Sequence, residues 1–506
     1  MTDSFLLYPD SSTEGKYSYA FQGDIIKDLN LNILFKTMAK EDWRIAEKVR
    51  KIIMIPLAAP EEVHYRHAII KDFYNIPELS EQLYEHAVRQ QQILDQYKED
   101  MEKNRTRTAR KSSEMIDTLH FLSQSVERLL AIQAILEEFS QNLMSPGLLS
   151  LYERLQKEPL EELAQRIKDL HFYTEGGEVS YHLQFCGGMK IGQAVLRSCV
   201  NKKRRKREGK TSHSLQNMYW KYLKKNTIPL DSEALRQDIG LLTDSTIKEC
   251  LELFSPFLQQ TMMFFEHFTE EMAFYMGVLH LMQRMNELSI PLSMPKPATA
   301  GSGHTAFTGL YELTMAIYMQ NHPVRNDAVF HDTILTVITG ANQGGKSTFL
   351  RSYGIAQLLM QCGMPVPSAE FSAPLYPQIF THFTRREDEK LNSGRLQEEL
   401  GRMSAMIQAA VPNSLFLLNE SFASTTEKEG SRIADGIIRA FYEKGITTMM
   451  VTHLFEFARS MYQKNLPHTD FLVAERREDG TRTFRMLPGE PHYTSYGTDL
   501  FQKLIP

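Results

Sequence analysis

Thr333-Ile334-Leu335-Thr336-Val337-Ile338-Thr339 runs directly into Gly340-Ala341-Asn342-Gln343-Gly344-Gly345-Lys346-Ser347. The first seven residues are aliphatic or β-branched, as a buried strand requires, and the next eight spell G-x-x-x-x-G-K-S, with Thr348 and Phe349 opening a helical pattern. Strand, glycine turn and helix in that order make a phosphate cradle. The glycines let backbone N–H groups turn inward, and the helix N-terminus adds the positive end of its dipole. The spacing therefore assigns nucleotide binding to Gly340, Ala341, Asn342, Gln343, Gly344, Gly345, Lys346, Ser347 and Thr348. Lys346 is placed to reach the β- and γ-phosphates of ATP, and the Ser347 hydroxyl to ligate Mg²⁺.

Further strands follow the turn. Ser414–Leu418 (SLFLL) ends in Asn419 and Glu420, and Thr447–Thr452 (TTMMVT) ends in His453. Short aliphatic runs alternating with helical stretches predict a mostly parallel sheet covered on both faces. Polar residues at the tips of such strands face the ligand crevice. Glu420 is thus the candidate to orient or deprotonate the attacking water, His453 the candidate to sense the γ-phosphate, and Asn419 the candidate to hold the magnesium hydration shell. A neutral amide at residue 419 offers one oxygen but no charge, so metal affinity or turnover is expected to be lowered.

Upstream, Phe21 to Glu287 is rich in Leu, Met, Gln, Glu, Lys and Arg and places apolar residues three and four apart, which predicts amphipathic helices. One stripe, from Leu79 to Ile132, reads as two helices around a charged break at Asn104–Ser113; another runs from Ile247 to Met282. The methionines in that second stripe read as core rather than as a binding groove. Pro291–Gly303 (PLSMPKPATAGSG) has linker composition. The sequence therefore divides into a helical region, 1–297, and an α/β region, 298–506.

With 506 residues, 57 basic against 62 acidic side chains and a net charge of -5, the chain has the composition of a multidomain globular protein without a globally cationic surface. Any contact with DNA needs a local patch. Lys202, Lys203, Arg204, Arg205, Lys206 and Arg207 form one, followed by Tyr219, Trp220 and Tyr222. Two readings of this tract stay open: phosphate-backbone contacts, or a solvated loop. Cys186, Cys199, Cys250 and Cys362 lie far apart and form neither a zinc knuckle nor a disulfide framework. The sequence shows no signal peptide and no apolar run long enough to span a membrane, so a cytoplasmic location is expected. His64 and His67 have a metal-like spacing but no third ligand, and are assigned to packing or surface.

Several stretches together resemble one family. TGANQGGKSTFLRSYGIAQLLMQCGMPVPSAEF, IFTHF with REDEKLNSGRLQEEL, SLFLLNESFASTTEKEGSRIADGI, VTHLFEFA and PHYTSYGTDLFQKL resemble, in order and spacing, the ATPase domain of the MutS family across about residues 300–506. The helical half is similar to that family's lever and clamp regions, notably at Val63–Leu79. The resemblance implies a P-loop NTPase domain of the ABC type and a homodimer with composite nucleotide sites. Ser393, in a frame S-x-x-x-x-E ending at Glu398, is implied as a hydroxyl lent to the opposite subunit's γ-phosphate, although Gly394 and Arg395 replace the usual Thr and Phe. Ser495-Tyr496-Gly497 matches a motif near the dimer-forming helices, and His322 and Arg485 sit near the adenine positions. The mismatch-reading, connector and C-terminal nuclease parts of the family are not found in this sequence, and Phe264-Phe265-Glu266 lies inside a helix stripe where packing explains it.

The expectation is a slow Mg²⁺-dependent ATPase that moves helical arms on DNA and recognises DNA structure rather than mispairs, with repair or recombination proteins as further partners. A nucleotide-controlled dimeric switch with little hydrolysis is the alternative. A transporter or SMC-type ATPase is disfavoured, because no LSGGQ-like signature is present.

Overall fold

The computed structural model describes residues 6–9, 18–106, 111–174, 178–186, 190–200, 233–384, 394–477 and 481–491. By contact the chain forms two units. One comprises Glu81–Leu143 and Leu148–Met272; the other comprises Phe5–Ser80, Met144–Gly147 and Ala273–Pro506. The composition change at residues 291–303 and this grouping fall at different places, because the helices before Ser80 pack among C-terminal elements.

The first unit draws on the helices Pro77–Thr106, Lys111–Glu138, Pro146–Lys157, Leu160–Thr174 and the front of Glu233–Glu287. Their apolar stripes face inward: Leu83, Ala87, Leu94, Leu119, Leu122, Val126 and Leu129 are buried. Phe264, Phe265 and Phe268 are also buried, with the first and third rings stacked at 5.7 Å, so the Phe-Phe-Glu sequence is core and its Glu266 pairs with Lys98. Two polar contacts set the register of these helices. The Gln90 amide donates to Ser125 Oγ at 2.8 Å, and Tyr97 OH bonds Thr118 Oγ1 at 3.1 Å.

Within the region expected to be mostly helical, Glu178–Cys186 and Lys190–Val200 are strand instead. Strands β1 (Glu178–Cys186) and β2 (Lys190–Val200) pair as an antiparallel hairpin. The signal was present locally, since Tyr181, Leu183 and Phe185 alternate with His182 and Gln184, a period of two inside a segment read at 3.6.

The second unit carries two sheets, built from β3 (Lys296–Ala298), β4 (Thr305–Leu310), β5 (Asn326–Phe330), β6 (Leu335–Thr339), β7 (Glu370–Pro374), β8 (Ile379–Phe383), β9 (Leu415–Asn419), β10 (Thr447–Val451), β11 (Thr469–Arg476) and β12 (Arg482–Pro488). The larger has the order β12-β11-β6-β10-β9-β8; its strands are parallel except for the edge pair β11 and β12. Strands β6 and β8 are buried along their whole length, which is why they read as unbroken apolar runs rather than alternating ones. Phe380 stacks on Phe416 at 4.6 Å, and Phe416 meets Phe441 of the helix Glu427–Glu443 at 4.4 Å, fixing that helix on one face.

The smaller sheet, β3-β7-β4-β5, is mixed, with β3 parallel to β7 and the other pairs antiparallel. Part of the predicted linker is therefore strand: Lys296 pairs with Ser372. Its partner lies far along the chain, so no local pattern announces it. Between the sheets' strands runs the helix Lys346–Gln361, almost wholly buried. Of its two interior amides, Gln361 is satisfied on both sides, donating to Tyr376 O at 2.9 Å and accepting from Tyr376 N at 2.7 Å, whereas Gln357 donates to Pro374 O at 2.7 Å and its Oε1 has no partner among the described residues. Among the described residues, no helix is long and apolar enough to cross a membrane.

Candidate functional site

The carboxyl ends of β6, β10 and β9 lie level: Ile338 is in register with Val451, and Val451 with Asn419. Whatever leaves those three ends is brought to one place. From β6 the chain enters the glycine turn at Gly340, whose φ of 126° no side-chain-bearing residue holds comfortably, and a Cβ there would stand 2.8 Å from Ala474 on β11. Gly345, at φ 90°, then caps the helix Lys346–Gln361 in the left-handed conformation. Gln343 is also left-handed and accepts a hydrogen bond at 2.9 Å from Arg482 of β12, tying the turn to the sheet edge.

Lys346 is buried, and its Nζ donates to the carbonyls of Gly340 at 2.8 Å and Ala341 at 3.0 Å. An ammonium has three donors, so these bonds hold the side chain across the turn and leave one more. Burial pulls its pKa down to about 8, opposed by the Glu420 charge. The neighbouring Ser347 hydroxyl donates to Asn419 Oδ1 at 2.7 Å, bridging the helix start to the end of β9.

Glu420 follows in a left-handed conformation, φ 56°, anchored by its N–H on Val451 O at 2.8 Å. Its Oε1 stands 2.8 Å from His453 Nε2. That hydrogen bond, against the opposing effect of burial and helped by the charges of His453 and Lys346, holds the Glu420 carboxyl below the usual carboxylate range. The carboxylate is thus kept ionised as an acceptor or base, with the imidazole fixing its direction.

Beside the turn is a cleft of about 310 Å³, lined by Met315, Met319, His322, Val324 and Phe484 among others, with Gln343, Gly345 and Thr348 on its wall. Phe484 is 44% exposed although aromatic, and its φ of 62° is a conformation bulky residues avoid. Asn326 fastens this wall, its Oδ1 accepting from Met486 N at 2.7 Å.

The structure thus brings together Gly340, Ala341, Asn342, Gln343, Gly344, Gly345, Lys346, Ser347, Thr348, Asn419, Glu420 and His453. Ser393 and the tract Lys202–Arg207 lie outside the described residues, as does Ser495–Gly497. His322 lines the cleft, whereas Arg485 is not among its lining residues. Phe484, Met315 and Met319 were not found from sequence, because the wall is assembled from separate segments and an apolar residue in a strand or helix reads as core. His64 and His67 meet ring to edge at 5.9 Å, and burial lowers the His67 pKa to about 4, consistent with packing.

A mostly parallel sheet whose strand ends carry a glycine turn and convergent polar side chains defines an α/β protein with its ligand crevice at the carboxyl edge. Residues 336–504 match the MutS domain V family, and residues 58–288 match the MutS2 N-terminal domain family. The chain belongs to the MutS family. It is 35% identical over 169 residues to a Thermus aquaticus protein named DNA mismatch repair protein MutS, a match covering 33% of this chain and 20% of that one. The protein of the same name from Shouchella clausii is 33% identical over 199 residues, covering 36% and 22%. The MutS protein homolog him-14 of Caenorhabditis elegans is 26% identical over 200 residues, covering 37% and 24%. The matched stretch is therefore only about a fifth to a quarter of these relatives' length. The separate match over residues 58–288 adds the helical region, whose amphipathic stripes alone were less specific.

Proposed function

We propose that this chain is a Mg²⁺-dependent ATPase of the P-loop, ABC-type class that acts on DNA as a homodimer. The observation that carries this reading is the convergence, at three level strand ends, of Lys346, the Ser347–Asn419 pair and the Glu420–His453 pair. Gly340 to Thr348 cradle the triphosphate, Lys346 neutralises its terminal oxygens, and Glu420 orients and deprotonates water for in-line attack on the γ-phosphate. His453 aims Glu420 and, from the tip of β10, senses the γ-phosphate. The base takes the adjacent cleft, where Phe484 offers an exposed ring face and Met315, Met319 and Val324 an apolar floor.

Magnesium fits the donors present. Ser347 Oγ and Asn419 Oδ1 are oxygen atoms 2.7 Å apart at the mouth of the turn, the hard ligands this ion takes alongside water and phosphate. When bound, the ion spreads the charge developing on the phosphate oxygens. Asn419 gives it no charge, which is the reason to expect slow turnover and also favours the second reading, a dimeric switch that binds ATP and hydrolyses little.

Family membership supports DNA binding and dimerisation; the remaining parts of the proposal rest on the sequence reading: a second subunit lending Ser393, DNA engaged through phosphates by Lys202–Arg207, a preference for DNA structure over mispairs, repair or recombination partners, and a cytoplasmic setting. Steady-state phosphate release with and without Mg²⁺ tests the enzyme. Metal-dependent turnover abolished by Glu420→Ala supports it; turnover unaffected by that change removes Glu420 from the chemistry, and a negligible rate that rises steeply in Asn419→Asp favours the switch.

A further inference from the structure

Behind the end of β9 lies a second set of buried polar side chains, outside the nucleotide crevice. Two residues on either side of Ser421 are left-handed although neither is glycine: Glu420 at φ 56° and Phe422 at φ 68°. Each such residue costs roughly 1–3 kcal/mol and persists only where its surroundings impose it. The turn that aims Glu420 is therefore strained and must be held.

Its holders can be named. Thr384 Oγ1 donates to Glu420 O at 2.8 Å, beside the 3.1 Å bond from Thr384 N to Asn419 O. His382 of β8, wholly buried, sits 2.7 Å from Ser421 Oγ through Nδ1, and Ser421 Oγ is 3.0 Å from His382 O. The third holder comes from the helix Arg395–Ala409: Glu399 Oε1 accepts the Phe422 N–H at 2.6 Å, and Glu399 O lies 3.3 Å from His382 Nε2. Burial lowers the His382 pKa to about 4, so the ring is neutral and has a single N–H to share between these partners.

Glu399 is the unusual member. It is buried, yet among the described residues only one carboxylate oxygen has a hydrogen-bond partner, since Oε2 has none there. A half-satisfied buried carboxylate is an expensive way to fill space, and an apolar side chain of that size would do so at lower cost. What it supplies instead is a strong, charge-assisted grip on one backbone N–H in the strained turn.

We infer that Glu399 is a positioning residue for hydrolysis: by holding Phe422 N–H it fixes the left-handed turn that aims Glu420 at His453 and at the attacking water. This rests on the ATPase reading above. It also makes the helix Arg395–Ala409 a mechanical support of the water-orienting carboxylate, so a shift of that helix alters chemistry before it alters nucleotide binding.

The test compares Glu399→Leu, which keeps volume and loses the acceptor, with Glu399→Gln, which keeps an acceptor oxygen, in the full chain. Turnover is read as kcat and KM, and hydrogen exchange is read in the peptide containing Phe422. Expected are a kcat about 10- to 100-fold lower in Glu399→Leu with KM within about threefold, a Glu399→Gln kcat near wild type, and faster exchange at Phe422 in the leucine variant alone. Wild-type kcat in Glu399→Leu, or a parallel loss in both variants, overturns the inference. If the wild-type chain itself releases no phosphate, the ATPase reading fails separately, and exchange decides: unchanged protection at Phe422 in Glu399→Leu overturns the grip, and a selective loss there supports it.

Discussion

His453 Nε2 meets Glu420 Oε1 at 2.8 Å, across the ends of two adjacent parallel strands. Because this contact is the largest influence holding the Glu420 carboxyl below its ordinary range, removing the imidazole lets its pKa rise. Turnover that requires the ionised carboxylate is then lost sooner as pH falls. The expected result for His453→Ala is an acid limb of the kcat profile displaced upward relative to wild type; a limb left in place would show that His453 does not set the state of Glu420.

Lys346 makes the opposite demand on the alkaline side. With its pKa lowered to about 8, the buried ammonium gives up its proton as pH rises past that value, and a triphosphate prefers the protonated form. Affinity for an ATP analogue, titrated by fluorescence between about pH 7 and pH 9, should decline by up to about tenfold per unit above the pKa. A flat profile would mean that Lys346 does not face the phosphates.

Asn419→Asp adds a negative charge to an oxygen that already accepts from Ser347. The Mg²⁺ concentration giving half-maximal nucleotide binding should drop by about tenfold or more, the scale of one added charge a few ångströms from the ion. No change in the metal titration would move the ion away from this pair.

Gly340 can be tested through stability as well as function. A methyl group there meets Ala474 at 2.8 Å, and the backbone is already in glycine's region. Gly340→Ala should lose about 1–3 kcal/mol in urea unfolding along with nucleotide binding. Wild-type behaviour in both would contradict the tight packing of the turn on β11.

The sequence disclosed those parts of the fold whose determinants are adjacent in the chain. β6, the glycine turn and the helix after it are contiguous, so spacing alone located them, and β9 and β10 appear as aliphatic runs because both faces are covered. The second sheet escaped notice because Lys296–Ala298 finds its partner at Ser372–Pro374, and a Pro-containing strand of three residues has no pattern of its own. The cleft beside the glycine turn escaped for a similar reason: Phe484 reads as an ordinary strand residue until β12 is seen beside Gly345. Glu399 looks from sequence like one more acid on an amphipathic helix, and only the left-handed turn at Phe422 gives it a task.

The claim on which the rest depends is that Gly340–Thr348 hold a triphosphate with Lys346 upon it. Equilibrium titration of the full chain with Mg·ATP, wild type against Lys346→Ala, tests this directly. Saturable binding of one nucleotide per chain, weakened about thirtyfold or more by the substitution, is the predicted result. Equal affinity in the two proteins, or no saturable binding by the wild type, would contradict it.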